Sequence, residues 1–261
     1  MARSQHWTFA AAAVVAAALV FGPDWSLPRR AVAEVGVTPG SPSAPVVVEL
    51  FTSQGCNSCP PADEFLGELA ERPGIIALSL HVDYWDYIGW KDPYATPQAT
   101  ARQRGYVAGL GLRYVYTPQM VIDGRVDVAG LRRNEVLRAI ETAAIGRKAL
   151  QVRFESADGG KIVVPAGHAP DGGAAVWLAV YDQSHETSVP RGENAGRKLQ
   201  NHNVVRELSR IGTWQGERLE IPFDMAAAAA QGRDGCAVIV QQGSAGPVLG
   251  AAAIPLETLR Q

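Results

Sequence analysis

Cys56 and Cys59 stand two residues apart, and this spacing brings two sulfurs within disulfide reach across one turn of chain. A pair so placed can exchange. The thiolate is the attacking species, and a mixed disulfide formed at Cys56 can be resolved by Cys59. The β-branched run Val46–Phe51 leads into the pair, and a helical pattern with Phe65, Leu66 and Leu69 apolar follows it. A helix N-terminus favours an anion, so it would lower the pKa of a nearby thiol. Pro60 and Pro61 come directly after Cys59. Residues before proline avoid the α region, so Cys59 and Pro60 are expected to be extended, with the helix starting at Pro61 and the sulfurs outside it. Two further readings stay open: a static structural disulfide and half of a zinc site, for which no second CxxC or close His pair follows.

Other residues gather around this pair in the sequence. His81, Asp83, Tyr84, Trp85 and Trp90 follow a second apolar run, at the end of a strand where α/β sheets bind ligands. They read either as a peptide groove beside Cys56 or as an aromatic cluster capping the sheet. Glu193, Asn194, Arg197, Asn201, His202 and Asn203 form a polar stretch, read as a solvated loop or as a loop docked toward the CxxC. Cys236, inside Cys-Ala-Val-Ile-Val, reads as a buried thiol, with a third redox partner as the sharper alternative. Copper handling by Cys56, Cys59 and His81 is a weaker idea, because the chain has only three Met, Met1 included.

The elements that must position these residues follow from hydrophobic pattern and turn chemistry. Val46–Phe51 is a central strand buried on both faces, Ala62–Glu71 a helix stopped by Pro73-Gly74, and Ile75–Val82 a second strand. Thr96–Val107 is helical. Gln119–Ile122 and Arg125–Val128 form a hairpin about Asp123-Gly124, and Asn134–Arg147 is an amphipathic helix. Alternating strands and helices imply a parallel core with an antiparallel pair added. From Ala149 onward short β-rich runs recur between Gly, Asp and Pro: 150–154, 161–164, 175–181, 218–221, 236–241 and 248–254. They suggest a separate antiparallel sandwich over 149–261. Asn203–Ile211 is helix or strand, and Met225–Ala230 a surface helix or loop.

Composition bounds the rest. The 261 residues are 47% hydrophobic, with 24 Lys+Arg against 26 Asp+Glu and three Cys. This is too apolar for a disordered chain, too poor in Cys for a disulfide scaffold, and lacks the basic excess of a nucleic-acid binder. An apolar run from Trp7 to Phe21, followed by Ala31-Val32-Ala33, reads as a signal peptide over 1–33, with a leader or linker over 34–45. The mature chain is then periplasmic or secreted. It meets a membrane only if the signal segment stays uncleaved as an anchor.

Thr117-Pro118, directly before the hairpin strand, is where the chain resembles the thioredoxin superfamily. In that family a cis-proline opens the strand facing the CxxC and receives the substrate's extended backbone. The strings Val48–Asp63 and His81–Asp86, with Gly192-Glu193-Asn194 and Arg197, resemble a family of secreted bacterial thioredoxin-like proteins of unknown function. The resemblance covers essentially the whole mature chain. It implies an α/β thioredoxin-like unit over 46–148, followed by the β-rich sandwich-like unit. It also implies catalytic Cys56, Cys59 and Pro118, with Thr117 meeting the substrate; on the groove reading of the loop after the second strand, Trp85, Trp90 and His81 meet it too. The family's proton-relaying acid sits on the strand before the motif, where Glu49 stands; pairing of Glu49 with a Lys or Arg is the alternative. The expected function is thiol–disulfide exchange with thiol- or disulfide-containing proteins or small thiols, with no cofactor because the dithiol carries the electrons. A non-catalytic binding module with a structural disulfide is the alternative.

Overall fold

The computed structural model describes residues 44–145, 150–155 and 160–256. The expected signal peptide, and the leader up to residue 43, lie outside the described residues. The elements run β1 (Val46–Thr52), α1 (Pro60–Ala70), β2 (Ile75–His81), α2 (Pro97–Gly109), β3 (Gln119–Ile122), β4 (Val126–Ala129) and α3 (Arg133–Ala144). Then come β5 (Arg153–Glu155), β6 (Lys161–Val164), β7 (Ala174–Ser188), β8 (Lys198–Trp214), β9 (Leu219–Pro222), α4 (Met225–Ala230), β10 (Gly235–Gln242) and β11 (Val248–Pro255).

β1 is buried on both faces, as its nearly continuous apolar sequence requires. Val46, Val48 and Leu50 point toward α1 and α3, where Phe65, Leu66, Val136 and Ile140 complete one core. Val47 and Phe51 point the other way, into a core with Ala99 and Tyr106 of α2. β2 runs parallel to β1, and β3 pairs with it antiparallel. The β3–β4 hairpin turns at Asp123 and Gly124, both at positive φ (51° and 63°), as expected of an Asp-Gly turn.

The second half does not stand apart. β7, β8, β10 and β11 extend the sheet of the first half, giving one mixed eight-stranded sheet in the order β11-β10-β7-β8-β2-β1-β3-β4. The joint is narrow: Val204 of β8 pairs in parallel with Ser79 of β2, and the Asn203 side chain donates to the Ala77 carbonyl at 2.9 Å. The expected independent sandwich is thereby corrected. A three-stranded sheet, β5-β6-β9, does lie over Val176, Leu178, Val180, Val238 and Val240, but the sheet beneath it is the shared one. Segment 203–211 is strand throughout, inside the 17-residue β8.

The sheet holds α2 against one face, with Ala99 and Tyr106 sharing a core with Leu78, Ala179, Ala237 and Ile239. Its far end returns to its beginning: the Val248 amide donates to the Asp123 carbonyl at 2.8 Å. Gln241 of β10 meets Arg102 and Tyr106 of α2. Among the described residues no helix is long and apolar enough to cross a membrane.

Candidate functional site

Beyond Thr52 the chain turns through Ser53, Gln54 and Gly55 into Cys56. The Ser53 carbonyl accepts from the Cys56 amide at 3.1 Å, and its hydroxyl from the Gly55 amide at 3.0 Å. Position 55 is a glycine because Trp85 crowds it; a Cβ there would stand 3.1 Å from the Trp85 Cβ. The Cys59 amide donates to the Cys56 carbonyl at 3.2 Å, and the two cysteines form a disulfide with Cα atoms 5.4 Å apart.

Cys59 differs from its expected extended form. It has φ −78° and ψ −37° and is the N-cap of α1, which begins at Pro60. The Cys59 carbonyl accepts from both Ala62 and Asp63, at 2.8 and 3.1 Å, and these bonds outweigh the steric bias before proline. Two prolines at the first helical positions lack only N–H groups that would have had no intrahelical partner. The disulfide therefore sits directly at the positive end of α1.

The Thr117–Pro118 peptide is cis. Gln103 donates to the Tyr116 carbonyl at 2.8 Å, Trp85 Nε1 donates to Thr117 Oγ1 at 2.8 Å, and the Gly130 amide donates to the Pro118 carbonyl at 2.9 Å. Gly130 is wedged between Pro118 and Ala62: a Cβ on it would stand 3.1 and 2.9 Å from their Cβ atoms. Pro118 is thus placed beside the first turn of α1. Trp85 links the CxxC turn at Gly55 to Thr117.

Glu49 is bound elsewhere. Both its oxygens engage the Arg102 guanidinium, and Tyr106 Oη also donates to it, all three side chains being buried. Of the two readings of this acid, ion pairing is the one its partners support. The buried carboxyl near the cysteines is Asp63, one helical turn past Cys59, with Thr52 Oγ1 donating to it at 3.1 Å. Burial raises its pKa to about 7, opposed by the charge of His81. His81 Nδ1 stands 2.7 Å from Asp92 Oδ2. Burial works against its charge, but Asp92 and Asp63 outweigh that effect and raise its pKa. Asp92 is held below the usual carboxylate range: His81 and the Gln54 and Tyr94 amides overcome its desolvation. His81, expected from the sequence to meet substrate, is buried and presents no surface to one in this conformation. Trp90 is half-buried and donates to Gln54 Oε1 at 3.2 Å.

The polar stretch near residue 194 is the tip of a β7–β8 arm that reaches across to the disulfide. Asn194 donates to the Gln54 carbonyl at 2.9 Å and the Cys56 carbonyl at 3.0 Å, and Arg197 donates to its Oδ1 at 3.0 Å. Glu193 accepts from the Asn57 amide at 3.3 Å, and Asn201 accepts from Gln54 Nε2 at 2.9 Å. Cys56 and Cys59 are left 1% and 0% exposed, while Asn57 and Ser58 between them remain exposed. Sequence reasoning overlooked Asp63, Asp92 and Gln54. Asp63 carried a signal, an acid in a first helical turn; Asp92 and Gln54 carried none. Cys236 is buried in an apolar core, which pushes its thiol up to about 12. Among the described residues no group of three or more His, Cys, Asp or Glu is placed to hold a metal.

A family model described as protein of unknown function (DUF1223) matches residues 47–241. The chain belongs to this family. The matched region runs from β1 into β10 and so includes both the cysteine pair and the arm that meets its turn. The crystal structure of protein AGR_C_4864 from Agrobacterium tumefaciens is 32% identical and has a TM-score of 0.70, covering 82% of this chain and 95% of that one. HBP35 of Porphyromonas gingivalis is 12% identical with a TM-score of 0.53, covering 82% and 76%, a likeness of fold alone. No curated protein matches the chain significantly.

Proposed function

We propose that this member of the DUF1223 family is a periplasmic or secreted thiol–disulfide oxidoreductase acting on proteins or small thiols. In this reading β1 to α3 is a thioredoxin-like unit whose sheet the C-terminal strands prolong, with β5-β6-β9 making a sandwich-like layer over the extension. One observation carries the reading: a Cys56–Cys59 disulfide at the N-terminus of α1, with Gly130 alone wedged between the first turn of that helix and Pro118.

In the reduced protein the Cys56 thiolate attacks a substrate disulfide. A Cys56–substrate bond forms, and the substrate's other sulfur leaves as a thiolate that takes up a proton. Cys59, deprotonated, then attacks Cys56 Sγ, closing the internal disulfide and releasing the second substrate thiol. Substrate oxidation is the reverse sequence. Asp63, half-protonated near neutral pH, is the buried group suited to take the Cys59 proton.

The test is insulin reduction and dithiol oxidation by the wild type and by Cys56→Ser. Activity lost in the variant supports the reading; no wild-type activity in either direction overturns it. The near-complete burial of both sulfurs favours a second reading, a binding module with a structural disulfide. A reduction potential below about −300 mV would select that second reading.

A further inference from the structure

The sulfurs of an exchanging disulfide must be reached in line by an attacking thiolate, and in this conformation they are not. What lies against the turn that carries them is specific. Residues 189–197 at the tip of the β7–β8 arm fold into a tight loop: the Gly196 amide donates to the Val189 carbonyl at 2.8 Å and the Val189 amide to the Arg197 carbonyl at 2.9 Å. The loop touches the CxxC turn through polar groups that can be satisfied by water once separated: Asn194 to two carbonyls and Glu193 to one amide. Gly192 and Gly196, at φ 82° and 80°, flank Asn194 in backbone conformations that other residues rarely adopt.

We propose that loop 189–197 is a gate over the disulfide, with Asn194 as its latch, and that exchange requires the latch to open while the rest of the protein stays folded. The gate makes the pair selective, because a thiol reaches it only during opening or by displacing Asn194 from the Gln54 and Cys56 carbonyls. It also gives the C-terminal half a task, since the arm belongs to that half. This inference rests on the oxidoreductase reading for its purpose, but its physics is tested separately.

The probe is dithiothreitol. Its thiolate attacks one sulfur of the pair and breaks the S–S bond, and the displaced cysteine takes a proton. Its second thiol then attacks the mixed disulfide, leaving two protein thiols and oxidised dithiothreitol. Reduction is followed by alkylation and mass in wild type, Asn194→Ala and Asn194→Asp. Each variant should be reduced about tenfold faster, as expected when two hydrogen bonds holding a closed state are removed. Unchanged rates in folded variants overturn the gate. The wild-type rate across sub-denaturing urea keeps the proposal falsifiable should a variant fail to fold. Local opening leaves the rate nearly flat, whereas a rate rising as steeply as global unfolding means no gate exists. Faster reduction of the Asn194 variants without any insulin activity would keep the gate and remove the oxidoreductase.

Discussion

Asp92 Oδ2 stands 2.7 Å from His81 Nδ1 and, at the same distance, accepts the backbone amide of Gln54. One buried carboxylate oxygen therefore ties the last residue of β2 to the turn that delivers Cys56. Replacing Asp92 by Ala leaves a buried imidazole and a buried N–H without that partner. The expected cost is about 3 kcal/mol in urea unfolding at neutral pH. His81, no longer held up by Asp92, should titrate at lower pH by NMR; an unmoved His81 would contradict this account.

Glu49 and Arg102 form a buried ion pair, and breaking such a pair from one side leaves an uncompensated charge. Glu49→Gln should cost about 3–5 kcal/mol in stability. It should leave the pH profile of dithiothreitol reduction of the Cys56–Cys59 disulfide unchanged, because the acid serves the α2 interface. A shifted profile would restore Glu49 to the chemistry.

Asp63 and His81 both have folded pKa values raised above their ordinary ones. The folded protein thus binds more protons than the unfolded chain over the window from the Asp63 unfolded value, 3.8, to its folded value, about 7. Stability present below that window is lost as pH rises through it. Asp92 works oppositely, but its contribution is lost only in acid, below the window. Asp63→Asn should flatten this decline, gaining on wild type by up to about 4 kcal/mol between pH ~4 and ~8. Urea titrations at several pH values check this, and parallel curves for the two proteins would refute it.

Gly124 combines positive φ with a close approach to the backbone carbonyl of Gly246 in the turn before β11. Gly124→Ala should destabilise by about 3 kcal/mol or more, since neither carbonyl nor turn can yield cheaply. Thermal unfolding measures it, and a neutral outcome would mean the two turns are not in contact in solution.

What was readable in the chain depended on how far each signal reached. Val46–Phe51, the CxxC and Asp123-Gly124 announce themselves through near neighbours, whereas Pro118 stands out only through the family resemblance. Partners far apart are marked less sharply: the Ser79–Val204 pairing leaves no trace, and the sequence offers a basic partner for Glu49 and a loop docked toward the CxxC without naming Arg102 or the Cys56 carbonyl. The apolar pattern of β7 ends at Tyr181, because Asp182, Gln183 and Ser184 break it. Beyond that point β7 pairs only with β8, in a ribbon that clings by polar groups, so hydrophobic alternation cannot mark it. The prolines after Cys59 misled locally, a steric preference yielding to the helix's own hydrogen bonds.

The single bridge between Ser79 and Val204 has a practical meaning. A fragment ending near residue 148 would bare the outer edge of β2 and the side of α2 that the later strands enclose, inviting edge-to-edge association. The Cys56–Cys59 pair is therefore best studied in a chain that keeps the C-terminal strands. Chain ends, fusion partners and labels are then best placed without interrupting the sheet that both halves share.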